Sequence, residues 1–162
     1  MVQSEANATQ NEIVKISMLR KRQDFLRIAS GRIKWVAGSM IVQMANRSEN
    51  DKPEDNKPED NATIRVGYTA SKKVGNAVRR NRAKRRLREV VRRVLKAGGK
   101  GGHDYVLIAR SSAVDIPFDQ LIRDFSWCLK RLGQSNDKNK NAVHLGQSHG
   151  KPDPASSGGV KR

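Results

Sequence analysis

The sequence predicts an α+β domain in which a sheet carries its helices packed against it, two layers in all. Three observations point there. Residues 39–46 and 63–71 set their side chains alternately on two faces, as strands do. Residues 104–110 form a near-continuous apolar run, the pattern of a strand buried on both faces. Residues 77–96 and 116–132 repeat apolar side chains at the helical period. A strand, a helix and a strand in succession imply a crossover, and so a sheet with helices laid on it.

The elements follow in order. "LRKRQDFLRIASG" (19–31) predicts a short helix with Leu19, Arg22, Phe25/Leu26 and Ala29 on one side and Gly31 to close it. "SMIVQMAN" (39–46) predicts a strand with Met40, Val42 and Met44 opposite Ile41, Gln43 and Ala45. Residues 46–62 contain Lys-Pro-Glu-Asp twice, at 52–55 and 57–60, and six acids between 49 and 60. They read as an acidic, flexible filler loop. "TIRVGYTAS" (63–71) predicts a strand with Ile64, Val66, Tyr68 and Ala70 on one face. Asn76 is placed to cap the helix 77–96, and "AGGKGG" (97–102) ends it. In the last helix, 116–132, Pro117 suits the first turn, and Phe118, Leu121, Ile122, Phe125, Cys128, Leu129 and Leu132 form the inner stripe.

Composition separates a domain from its tails. Residues 1–12 are polar and 133–162 lack Ile, Met and aromatic residues, so both are expected to be disordered, with one domain over 13–132. The formal charge of +17 favours a polyanionic partner over a merely solvated surface, because the charge is concentrated rather than dispersed. A single cysteine, Cys128, excludes an intrachain disulfide and a multi-cysteine zinc site, and its apolar neighbours mark it as a core residue. No apolar run approaches the ~20 residues that span a bilayer, and the N-terminus lacks a signal pattern; a cytoplasmic location is expected.

The charge gathers in "KKVGNAVRRNRAKRRLREVVRR" (72–93), where Glu89 is the only acid. Ala83, Leu87, Val90 and Val94, with Val91 and Leu95 beside them, form the stripe that anchors this helix to the sheet. Arg79, Arg82, Arg86 and Arg93 line a ridge next to it, and Arg85, Arg88, Arg92 and Lys96 cover the outer side. Arginines three and four apart repel by a few tenths of a kcal/mol per pair. Cations are also disfavoured at a helix N-terminus, where the dipole is positive. Phosphates would remove the repulsion and suit that end of the helix, and arginine forks match phosphate oxygens.

"SKKVGNAVRRNRAKRRLRE" (71–89), with "LRKRQDF" and "VGYTASKKVGNAV" upstream and "HDYVLIAR" downstream, resembles the protein subunit of bacterial ribonuclease P over about Met18 to Leu132. The resemblance implies an αβββαβα sandwich like the second domain of ribosomal protein S5, with a left-handed βαβ crossover. It implies a ribonucleoprotein in which the RNA subunit hydrolyses precursor tRNA to free the mature 5′ end, with Mg²⁺ acting at the RNA's active site and no catalytic or metal-binding residue in the protein. Arg80, Asn81, Arg82, Lys84, Arg85 and Arg88 are then expected to face the RNA subunit or the nearby 5′ leader, and Lys72 and Lys73 to reach phosphates; Arg79 and Arg86 join the RNA-binding set as members of the arginine ridge. The leader is expected in a cleft between sheet and helix. Phe25 matches a leader-contacting aromatic there, whereas Ala29 and Gln43 stand where some members carry further aromatics. Stacking on aromatics contributes ~1–3 kcal/mol per base, so the grip is expected to lean more on charge. Trp35 is read as packing rather than as a base platform.

Other classes fit less well. A self-contained protein nuclease needs an acid, a base or a metal cluster. Of His103, His144 and His149 the last two lie in the tail, and His103-Asp104 opens a buried strand, where such a pair is usually structural. Charge alone would allow a ribosomal or generic RNA-binding protein. A DNA-binding helix-turn-helix has no matching spacing.

Overall fold

The structure is a computed structural model and describes residues 14–47, 63–98 and 101–142. Among these residues five strands and three helices follow in order: β1 (Lys15–Met18), α1 (Arg22–Ser30), β2 (Lys34–Val36), β3 (Met40–Asn46), β4 (Thr63–Ala70), α2 (Ala77–Gly98), β5 (His103–Ala109) and α3 (Phe118–Ala142). The strands form one mixed sheet in the order β1-β4-β5-β3-β2. β1, β4 and β5 run parallel; β3 is antiparallel to β5, and β2 to β3. β4, α2 and β5 make the crossover that the sequence predicts. The αβββαβα order that the resemblance implies includes β2 but not β1; the residue pattern alone marks neither, because three or four residues are too few for a period-two pattern to register.

The sheet separates two unequal cores. On one face Met40, Val42, Met44, Ile64, Val66, Tyr105 and Leu107 pack against the stripes of α2 (Ala83, Leu87, Val90, Val91, Leu95) and α3 (Leu121, Phe125, Cys128, Leu132). These are the residues that the helical and strand periods select. On the other face Leu19, Ile28 and Val106 form a small core with Phe25, Ala45 and Ile108. Among the described residues α1 therefore lies alone on that side, and the expected two layers become three. β5 is apolar on both faces, so its second face must also be covered.

Two local expectations change. The inward side of α1 is set by Asp24, Phe25 and Ile28, while Leu26 and Ala29 face solvent. Gly31 closes α1 as its C-cap, as expected, with a helical backbone, and the left-handed φ of 55° falls on Arg32 after it. α3 continues to Ala142, past the boundary expected at Leu132. No proline interrupts 133–142, and adding a residue to an existing helix is far easier than starting one. Residues 1–12, most of the acidic segment 46–62, and 143–162 lie outside the described residues.

Cys128 is buried in the main core, and burial, with Asp124 nearby, pushes its thiol up to about 11. It is a core thiol, as the sequence suggests. Trp35 packs on the same core and meets Trp127 edge-on, with ring centres 5.7 Å apart. The Arg131 guanidinium lies over both rings, 5.9 Å from the Trp35 centre and 5.5 Å from that of Trp127.

Candidate nucleic-acid interface

α2 begins from a tight turn. Lys72–Val74 form a single 3₁₀ turn, and Gly75 leaves it at a φ of 133°. A Cβ at Gly75 would stand 2.8 Å from Cδ of Arg79, so both conformation and space require glycine there. The Asn76 side-chain oxygen then accepts the Arg79 backbone N–H at 3.0 Å, the cap that the sequence predicts.

The ridge arginines divide by environment. Arg79 bends back to donate to the Asp115 carboxylate at 2.7 Å and to the Val74 carbonyl at 3.4 Å. Asp115 thus supplies the anion that the first turn of α2 lacks. Arg86 donates to the carbonyls of Ala113 at 2.8 Å and Val114 at 2.6 Å, and also to that of Ile116. Burial, then the neighbouring Arg82, lowers its pKa. Its guanidinium is a clasp on the 3₁₀ turn Ser111–Val114, which joins β5 to α3. Arg93 donates to Glu89 at 2.9 Å and covers the ring of Phe118. Arg92 meets the same Glu89 at 2.8 Å, and this pairing with two arginines holds the Glu89 carboxyl below its usual range.

Arg82 is the exception on the ridge. It, Arg80, Lys84 and Arg85 have no ion pair or side-chain hydrogen bond among the described residues. Arg82, Arg85 and Asn81 are exposed, and Arg80 and Lys84 half-buried. Exposed Arg88 lies over the ring of Tyr68, 5.6 Å from its centre. Burial pushes the Tyr68 hydroxyl up to about 12 although Arg88 pulls the other way, so it stays protonated. Lys72 and Lys73 are exposed just ahead of α2. Of the cations predicted for RNA, Arg79 and Arg86 are held by the protein itself. The others make no ion pair among the described residues.

The predicted cleft residues fall on the α1 face. Gln43 pairs with Val106 across β3 and β5, and Val106 belongs to the small core under α1. Phe25 lies over the sheet at Gly67, where an added Cβ would stand 2.5 Å from its Cε1 and 2.6 Å from its Cζ. Ala29 is exposed on α1. Phe25 and Gln43 thus share one face of the sheet. Gly67→Ala is expected to displace the Phe25 ring and destabilise the fold by about 1–3 kcal/mol, measured by urea unfolding. Unchanged stability would mean that the ring is not seated there.

A cluster that the sequence does not reveal ties this face together. Asp104, fully buried at the start of β5, accepts from Arg65 Nε at 2.8 Å and Nη2 at 2.5 Å, and from Arg27 of α1. Arg47 stands 3.9 Å away, and its Nη2 donates to the Thr63 carbonyl at 3.0 Å. Arg27 also donates to the Asn46 carbonyl at 3.1 Å. These arginines come from segments far apart in sequence, so no local spacing marks them. His103, next to Asp104, donates from Nδ1 to the Gly101 carbonyl at 2.9 Å. Both members of the His-Asp pair are therefore held by structural contacts. No group of three His, Cys, Asp or Glu among the described residues is placed to hold a metal ion, and no described helix is long and apolar enough to cross a membrane.

Known proteins resemble this one in sequence and in fold. Residues 14–133 match the sequence profile of the family described as Ribonuclease P. The ribonuclease P protein component of Paramagnetospirillum magneticum is 45% identical over 119 residues, which are 74% of this chain and 84% of the relative. That of Ruegeria pomeroyi is 51% identical over 118 residues, 72% of this chain and 86% of the relative. The RNase P protein of Thermotoga maritima superposes with a TM-score of 0.56 at 28% identity, covering 71% of this chain and 96% of its own. The RNase P protein of Staphylococcus aureus superposes with a TM-score of 0.54 at 29% identity, covering 70% of this chain and 92% of its own.

Proposed function

The chain belongs to the ribonuclease P protein family, and on that premise we propose that it binds the catalytic RNA through the outward face of α2 and holds the 5′ leader of precursor tRNA on the α1 face of the sheet. It is the protein component of ribonuclease P, an endoribonuclease complex of tRNA processing. In this proposal the RNA subunit hydrolyses the precursor to free the mature 5′ end, and Mg²⁺ is held by that RNA, with no protein ligand. The protein adds affinity and position. We propose further that the β4-α2-β5 crossover is left-handed, as in the second domain of ribosomal protein S5, and that the complex works in the cytoplasm.

The observation that carries this reading is that Arg80, Arg82, Lys84 and Arg85 of α2 have no anionic partner among the described residues. Arg79 and Arg86, on the same helix, are satisfied within the protein. Forked guanidinium groups fit phosphate oxygens with two parallel hydrogen bonds. On the α1 face, Phe25 offers a ring to a leader base and Gln43 an amide.

The test mixes the purified protein with a bacterial ribonuclease P RNA at low Mg²⁺ and follows cleavage of precursor tRNA. The protein is expected to restore 5′ processing, because its cations replace part of the counterions that crowded phosphates need. Alone it is expected to cleave nothing. Specific cleavage by the protein without RNA, or no stimulation of the RNA, refutes the assignment.

A further inference from the structure

Among the described residues β1 pairs only with β4 and forms one edge of the sheet. Ile16 and Met18 stand in parallel register with Ile64 and Val66, so they turn to the side of the sheet that α2 covers. α2 does not close over them. Between β1 and α2 an open groove of about 450 Å³ remains, with Ile16, Met18 and Val91 along it and Tyr68 in its wall. That lies within the ~300–1,000 Å³ of small-ligand sites and exceeds what a phosphate group alone would need. Met18 is 49% exposed, unusual for so large an apolar side chain. Lys15, Arg88 and Lys96 also line the groove, all three exposed. No acidic residue is among the described residues that line it. Arg88 is steadied on the groove wall by the Tyr68 ring beneath it.

An apolar floor under a cationic rim fits a ligand with a flat apolar face and negative charge on either side. We propose that this groove takes an unpaired nucleotide of single-stranded RNA, its base against Ile16 and Met18 and its flanking phosphates on Arg88 and Lys96. The site is separate from the α1 face, since the sheet lies between them. The inference rests on α2 facing RNA, because Arg88 belongs to both surfaces. The Tyr68 hydroxyl, from the groove wall, can donate to an acceptor on the edge of the base.

The test compares two fluorescently labelled RNA probes of equal charge, an adenosine hexamer and an abasic hexamer, binding to the full chain. Wild type is expected to prefer the adenosine hexamer by about fivefold or more. Met18→Asp, an exposed substitution, should cut that preference while weakening the abasic probe far less; Met18→Ser does the same without adding charge. A preference that survives both Met18 variants but disappears in Phe25→Ala places the base on the α1 face and overturns the proposal. Equal binding of the two probes by wild type, with a steep salt dependence, also overturns it and leaves the basic surface of α2 intact. Failure of wild type to bind either probe removes both readings. Light scattering on the free proteins completes the test: a wild-type dimer that Met18→Asp dissociates would put a second copy at the β1 edge instead.

Discussion

Asp104→Asn is expected to lower the stability of the free protein by about 3–5 kcal/mol, the usual effect of removing one partner of a buried ion pair. The carboxylate is fully buried and receives three hydrogen bonds from Arg65 and Arg27. Asparagine keeps the shape, but it has one acceptor oxygen and no charge. The Arg27 and Arg65 side chains are largely covered, 29% and 21% exposed, so neither can turn wholly to water. The formal charge of +17 adds to the effect, since the carboxylate is a scarce anion in a repelling structure. α1 hangs on this cluster: its own core beneath the sheet is small, and Arg27 ties it to β5. The loss should therefore appear first as fraying of α1 in hydrogen exchange. Urea unfolding at constant salt gives the magnitude. A loss below about 1 kcal/mol would reduce the cluster to an ordinary surface pair.

The main core was legible in the sequence because period carries it. The stripes of α2 and α3 and the alternation of β3 and β4 are local patterns, and local patterns survive into the fold. The placement of α1 was not legible. A short helix with charged residues on most sides has a weak phase, and Phe25, not Leu26, turned inward because Gly67 leaves room for its ring. That fit involves residues 42 positions apart, as 67 − 25 shows, and no spacing rule reaches so far. The roles of the arginines divide in the same way. Their density was visible and pointed to an anion. Which of them are already satisfied was not, because the Asp115 carboxylate and the carbonyls of Ala113, Val114 and Ile116 reach α2 only through the fold.

That division makes the arginines of α2 separable by experiment. Changing Arg80, Arg82 and Arg85 together to Gln is expected to weaken binding to the ribonuclease P RNA by at least about a thousandfold. Charge-assisted contacts contribute about 1.5–3 kcal/mol each, and every 1.4 kcal/mol is about tenfold. If each contacts one phosphate, the slope of log affinity against log salt should flatten by about 3 × 0.9. The free protein should melt no lower than wild type, because the substitutions remove no described contact and relieve repulsion along the helix. Arg86→Gln should behave in the opposite way. It withdraws donors from three carbonyls at the 3₁₀ turn between β5 and α3, and groups left unsatisfied there cost about 1–3 kcal/mol each. The melting temperature should fall, while the RNA affinity of the molecules that remain folded should stay within a fewfold of wild type. Sulfate offers a check without RNA. An anion that binds only the folded helix stabilises it by ~2.7 kcal/mol at a hundredfold excess over its dissociation constant, so wild type should gain more from sulfate than the triple variant does. Sulfate also strengthens any fold by exclusion from its surface, and the difference between the two proteins removes that part. If Arg86→Gln abolishes RNA binding in a fully folded protein, or if the triple variant binds RNA as wild type does, the phosphate-facing surface has been put on the wrong residues of α2.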